Sequence, residues 1–198
     1  MNVHPVTPAI GAEISNIDLT VPLEQATCDL IHQLLIEHQV IFFRNQRISP
    51  EHHLALACTF GEPEEVHPVY PHVEGFSNIV LLKNGPDNPP DTNDWHTDLT
   101  FRQKPPFASV LSEKWYLNLE EIPCGCPCHE PMRHCRRQSG RKSFFINESF
   151  TAHVVGLRTS ESNRLLSYMF QHINQPEHQI RFRWTPYSIA IWDNRCTS

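Results

Sequence analysis

The residues best placed to do chemistry are His96 and Asp98, two positions apart in Trp95-His96-Thr97-Asp98. In extended backbone the side-chain period is two, so the imidazole and the carboxylate leave the same side of the chain and can converge on one cation. A second histidine from a distant strand would complete the two-histidine, one-carboxylate face that leaves iron(II) with open positions for oxygen chemistry. Taken alone the pattern is short, and a loop histidine beside an aspartate is usually an ordinary solvated hydrogen-bonding pair.

A second group of donors lies in the segment 113–140. Cys124, Cys126, Cys128, His129, His134 and Cys135 offer more nitrogen and sulfur than the four ligands zinc takes. Their spacing is poor for it, because Cys-x-Cys-x-Cys-His lacks the two-residue separation of a zinc knuckle, and Pro123 and Pro127 stiffen the run. The segment reads as an irregular insert. The seven cysteines are odd in number and four of them crowd this stretch, so a disulfide framework is not expected.

The elements that must position these groups follow from patterning. His4 to Leu19 should give one or two short strands before Pro22 opens a helix with Leu30, Ile31, Leu34 and Leu35 on its buried face. Val40 to Phe43 is a compact apolar run, hence a buried strand. Ser49 can cap a second helix, Pro50 fits its first turn, Glu51 suits its positive end and Gly61 closes it after Leu54, Ala55 and Cys58. Ile79 to Leu82 is the next strand, and the polar run from Asn84 to Asp94 carries the chain to the His-x-Asp pair without regular structure. Phe107 to Leu111 and Ser143 to Ile146 read as strands. Ser160 to Ile173 reads as a helix with Leu165, Leu166, Met169 and Phe170 inward, and His178 to Trp184 and Tyr187 to Asp193 as closing strands, the last central.

Many short strands, few helices, and 17 prolines against 7 glycines point to a mainly β, loop-rich protein with peripheral helices, of the jelly-roll or cupin-like double-stranded β-helix type. At 198 residues one domain, 1–198, is expected. The net charge of -6 gives no electrostatic reason to bind nucleic acid or an anionic membrane. The first residues do not read as a secretory leader, and no apolar run approaches the ~18 residues of a membrane span, so a cytoplasmic location is expected.

Trp95-His96-Thr97-Asp98-Leu99-Thr100-Phe101, followed by Pro105-Pro106 and Ala108-Ser109, closely resembles the metal-binding stretch of the taurine dioxygenase family. The likeness extends to Gly11-Ala12-Glu13-Ile14, Val40-Ile41-Phe42-Phe43-Arg44, Phe60-Gly61 and His67-Pro68-Val69-Tyr70-Pro71. Past the odd segment it resumes at Gly140-Arg141-Lys142 and runs through Ile146-Asn147-Glu148 to Ile189-Ala190-Ile191-Trp192-Asp193-Asn194-Arg195-Cys196-Thr197. The resemblance implies Fe(II) held by His96 and Asp98, with 2-oxoglutarate and O2 as co-substrates. It also implies a small anionic substrate such as taurine or a related sulfonate, with release of succinate and CO2, and of sulfite and an aldehyde from taurine. His67 and Tyr70 match the family's substrate-pocket positions, and Phe150 is a further pocket candidate.

The sequence departs from the family in two places. Cys124-Gly125-Cys126-Pro127 stands where a Gly-Gly-Asp-Thr stretch is expected after Ile122-Pro123. The family's distal histidine and its anion-binding arginines lie just beyond the Trp-Asp-Asn-Arg strand, and the sequence runs to Ser198, before them. Two ligands hold a divalent metal less firmly than three, so weak or absent turnover by these 198 residues is one expectation. Its rival is a non-catalytic remnant serving as a ligand- or zinc-binding module. An unpaired edge beside the strand from Tyr187 to Asp193 is also expected, open to pairing with a second copy in a homo-oligomer.

Overall fold

Short apolar runs separated by turn residues dictate a chain of brief strands, and the order in which they pair decides what lies beside the His-x-Asp segment. In the computed structural model the described residues are 1–64, 70–82, 95–96, 106–112, 115–120, 135–136, 142–146, 148 and 151–197, with the backbone alone at 115–120, 135–136 and 142. Eleven strands are described: β1 (Asn2–Pro5), β2 (Ala12–Ser15), β3 (Val40–Phe43), β4 (Glu62–Pro63), β5 (His72–Val73), β6 (Phe76–Leu81), β7 (Ala108–Ser112), β8 (Trp115–Glu120), β9 (Cys135–Arg136), β10 (Lys142–Ser143) and β11 (Ile189–Asp193). Three helices, α1 (Gln25–His38), α2 (Pro50–Cys58) and α3 (Thr159–Ile173), and a 3-10 turn at Pro176–His178 complete the set.

Nine of the strands form one sheet in the order β1-β2-β3-β11-β7-β8-β6-β5, with β4 added beside β8, while β9 and β10 make a separate ribbon. The hairpin from β1 to β2 is held by Thr7, whose hydroxyl accepts from the Ile10 N–H at 3.0 Å and donates to the Ile10 carbonyl at 2.7 Å. Gly11 follows at φ +86, where a Cβ would run into Ile180 Cδ1.

The core lies between one face of this sheet and α1 and α2. Cys28, Ile31, Leu34 and Leu35 of α1 and His53, Leu56 and Ala57 of α2 are buried. Ile31, Leu34, Leu35, Leu56 and Ala57 pack in one cluster with Ile41 and Phe43 of β3 and with Ile189 and Ile191 of β11, the last four 0% exposed; His53 is likewise 0% exposed. Each such side chain contributes about 1.5–3 kcal/mol relative to exposure. Phe42 points the other way and is still buried, because Phe182 stacks on it with ring centroids 4.0 Å apart. Burial on both faces is why β3 reads as an unbroken apolar run.

The helix ends obey local chemistry. Ser49 accepts from the His52 N–H, and the His52 ring accepts from the Ser49 N–H at 3.3 Å, a capping box with histidine in the usual glutamate place. α1 starts at Gln25, later than Pro22, because Glu24 is still extended at its N-cap. It ends at Gln39, which takes φ +70 and donates to the Leu35 carbonyl at 2.7 Å.

Several expectations are corrected. Leu30 is 43% exposed and Leu165 36% exposed, since each sits about one helical step from its helix's buried stripe of Cys28, Ile31 and Leu35, or of Ser162, Leu166 and Met169. His178 to Trp184 is not a strand. Residues 179–184 cross the outer face of β2 and β3 as an extended strap, held by side chains: Arg44 pairs with Glu13 at 2.9 Å, donates to the Arg183 carbonyl, and lies over the Phe182 ring. The expected strand from Ser143 to Ile146 is regular only at β10. The segment 113–140 is not wholly irregular, because β8 within it sits in the sheet between β7 and β6. Finally, β11 has no free edge. It pairs antiparallel with β3 on one side and β7 on the other, so the expected route to a homo-oligomer through that strand does not exist. The expected irregular run 84–94 lies outside the described residues, and among the described residues no helix is long and apolar enough to cross a membrane.

Candidate active site

Strand order fixes the two ends of the segment that carries His96. β6 and β7 both pair antiparallel with β8, so they run parallel to each other. β6 ends with Leu81 opposite Trp115, at the start of β8, whereas β7 begins with Ala108 opposite Leu119, near its end. His96 belongs to the segment that joins these two strands. His96 is half-buried beside Trp95, which is 47% exposed. Tyr70 is 36% exposed, just before β5. Asp98, His67 and Phe150 lie outside the described residues, as does nearly all of the cysteine-rich stretch.

The donors nominated for iron fit it in kind, an imidazole and a carboxylate two residues apart. Among the described residues no three His, Cys, Asp or Glu side chains gather as a closed metal site would require. Cys28 and Cys58 are free thiols, and burial pushes the Cys28 thiol up.

The best-ordered polar chemistry near this segment is where the start of β7 meets the end of β11. Asp193 and Arg195 form a buried bidentate pair, with Nε to Oδ1 at 2.9 Å and Nη2 to Oδ2 at 2.7 Å. The Arg195 guanidinium lies 4.2 Å above the Phe107 ring. Asn194 donates from its backbone to the Phe107 carbonyl at 3.0 Å and from Nδ2 to Ser109 Oγ at 2.8 Å, and its Oδ1 accepts from Trp192 Nε1 at 2.9 Å. The Asp193 N–H donates to the Gln39 carbonyl, tying the cluster to the end of α1. His32 of α1 packs its ring against Phe107 and Phe60. Its pKa is lowered, first by burial and then by the Arg195 charge, and its buried Nε2 has no hydrogen-bond partner among the described residues. His53 Nε2–H donates to the Val110 carbonyl at 3.2 Å, and burial pushes its pKa down to about 4, so it too is a neutral core histidine. Asn194 and Arg195 were visible in the sequence only as part of the family likeness, since nothing in their spacing announces a contact with Phe107.

An open pocket of about 640 Å³ lies at the opposite end of β11, lined among others by Asp18, Asn45, Arg47, Thr185 and Tyr187. It contains none of the nominated residues. Arg47 there stacks over the Tyr187 ring at 4.6 Å.

The chain superposes on a solved taurine dioxygenase from Burkholderia xenovorans with a TM-score of 0.79 at 28% identity, covering 99% of this chain and 80% of that one. This is the sheet-rich, cupin-like fold of 2-oxoglutarate-dependent dioxygenases. The sequence pattern of taurine catabolism dioxygenases, the TauD, TfdA family, matches residues 2–112 and 122–198, and the chain belongs to that family. The curated relatives it matches include an α-ketoglutarate-dependent sulfate ester dioxygenase of Pseudomonas putida, 26% identical across 100% of this chain and 82% of that protein. An α-ketoglutarate-dependent sulfonate dioxygenase of Saccharomyces cerevisiae is 25% identical across 98% of this chain and 61% of its own length. The Pseudomonas alignment runs over 252 positions against 198 residues here, so that relative carries segments with no counterpart in this chain. All three are dioxygenases by name, which gives the non-catalytic reading no support.

Proposed function

We propose that the chain catalyses Fe(II)- and 2-oxoglutarate-dependent hydroxylation of a small anionic organosulfur compound, a sulfonate such as taurine or a sulfate ester. The observation that carries this reading is the family pattern continuing on both sides of 113–121 with His96 and Asp98 inside it. The domain is taken as one unit, 1–198, built as a double-stranded β-helix. His96 and Asp98 hold the iron, His67 and Tyr70 face the substrate's anionic group and Phe150 walls the pocket. Bound iron would supply oxygen activation coupled to decarboxylation of 2-oxoglutarate. The protein's own share is to hold the imidazole and carboxylate at fixed geometry and to exclude water from the reacting C–H bond. A histidine donor suits a sulfonate oxygen, and a tyrosine offers an aromatic wall with a hydroxyl at its edge. A cytoplasmic location suits the iron(II) and 2-oxoglutarate it would use.

The test is succinate formation from 2-oxoglutarate by the 198-residue chain with iron(II) and ascorbate, with taurine, an alkyl sulfate and an aryloxyacetate offered in separate arms. Succinate formation stimulated by taurine or the alkyl sulfate and abolished in His96→Ala is expected. Stimulation by the aryloxyacetate alone would remove the organosulfur assignment, and silence in every arm would remove the catalytic one.

A further inference from the structure

We infer that Asn194 and Arg195 are positioning residues, which clamp Phe107 and Ser109 to the end of β11 and so fix where the chain bearing His96 rejoins the sheet. The inference rests on the reading of His96 as a metal ligand and deepens it. Phe107 is the last residue before β7, and it is gripped in three ways. Its carbonyl accepts the Asn194 N–H, its ring carries the Arg195 guanidinium, and the same ring packs against His32. Next along, Ser109 accepts the Asn194 amide. By strand alternation Ser109 faces away from Ala108 and Val110, so the clamp holds both sides of the strand.

The chemistry of the clamp favours precision over stability. Asp193 is 1% exposed, Asn194 1% and Arg195 7%. Burying a charged pair at a strand end incurs desolvation that packed apolar side chains would avoid, so such a pair contributes little net stability. What a bidentate pair does supply is direction: the flat guanidinium fits Asp193 in one orientation, and that orientation lays it over Phe107. Asn194 adds directional bonds on the other side. A hydrophobic strand end would tolerate sliding and tilting of Phe107, whereas this one does not. The segment that carries His96 thus enters β7 at a fixed point, and a fixed anchor is what a ligand outside the strands requires for constant geometry.

The test reads His96 directly in metal-free protein, through its rate of acylation by diethyl pyrocarbonate followed by mass spectrometry, well below the unfolding temperature. Asn194→Ala and Arg195→Lys are expected to raise the rate at His96 about five- to tenfold, as loss of a directional bond raises local opening. Leu56→Ala, a destabilising cavity in α2 remote from the clamp, should leave it within about twofold. An unchanged rate in the clamp variants, or an equal rise in Leu56→Ala, overturns the inference. If Arg195→Lys does not fold, Asn194→Ala and Ser109→Ala decide the matter. Iron(II) binding by the native chain against His96→Ala is measured separately, so failure of the ligand reading is distinguishable from failure of the clamp.

Discussion

β11 carries an arginine over an aromatic ring at each of its ends, and the two pairs differ in almost everything but that geometry. At its start Arg47 lies 4.6 Å over Tyr187, both exposed, beside an open pocket and with Tyr187 itself at φ +64. At its end Arg195 lies 4.2 Å over Phe107, buried, with its charge met by Asp193 at 2.7 Å. Water surrounds the first cation and screens it, while the second has given up its hydration for two directed bonds. The same contact is therefore nearly inconsequential at one end of a strand and a fixed point of the fold at the other.

The largest effect expected from breaking this comparison is at Arg195. Arg195→Ala leaves the Asp193 carboxylate buried and unpaired, which should cost about 3–5 kcal/mol in urea unfolding. A loss below about 1 kcal/mol, the range of an exposed pair, would mean that the two ends are alike after all.

Next comes the acid response of the buried core beside β7. The folded-state pKa of His53, about 4, is depressed from the ordinary 6.5, so the unfolded chain binds the proton more readily between those values. Its contribution is complete above pH 6.5, is lost as pH falls towards 4, and is level below that, with a total of about 3 kcal/mol. His32, lowered by burial and by the Arg195 charge, adds in the same direction. The urea midpoint of the native chain should fall across this window more steeply than that of His53→Gln, and parallel curves would remove His53 as the source.

Ser109→Ala takes away the acceptor for the buried Asn194 amide and should cost about 1–3 kcal/mol, read as a lower thermal midpoint. The smallest change is expected from Arg47→Ala, about 0.5–1 kcal/mol at most for an exposed cation over a ring. A drop as large as that of Ser109→Ala would show that the open end is as organised as the sealed one.

How much of this was legible follows from the range of each interaction. β3 could be read because apolar residues on both faces leave an unbroken run, and α2 because Ser49, Pro50 and Glu51 are a local start signal. β8 was missed although Trp115, Tyr116 and Leu117 are good strand formers, since the cysteines and prolines that follow dominate the composition of that stretch. The strap at 179–184 alternates like a strand, but alternation reports which side chains meet a surface and not whether the backbone has a partner. His53 drew no notice, because a histidine in a helix reads as surface until its neighbours are known.

For the site, the His96-x-Asp98 spacing and the surrounding family likeness could be read in the sequence, because both are patterns among neighbouring residues that need no distant contact to be recognised. Caps, turns and apolar periods belong to the same category, being satisfied within a few residues. What only the tertiary structure decided is which strands flank β11, which ring Arg195 covers, and that Asn194 holds Ser109. Those contacts join residues far apart in the chain. Their formation is set by loop closure and by the packing of the whole core, for which no local pattern carries a signal.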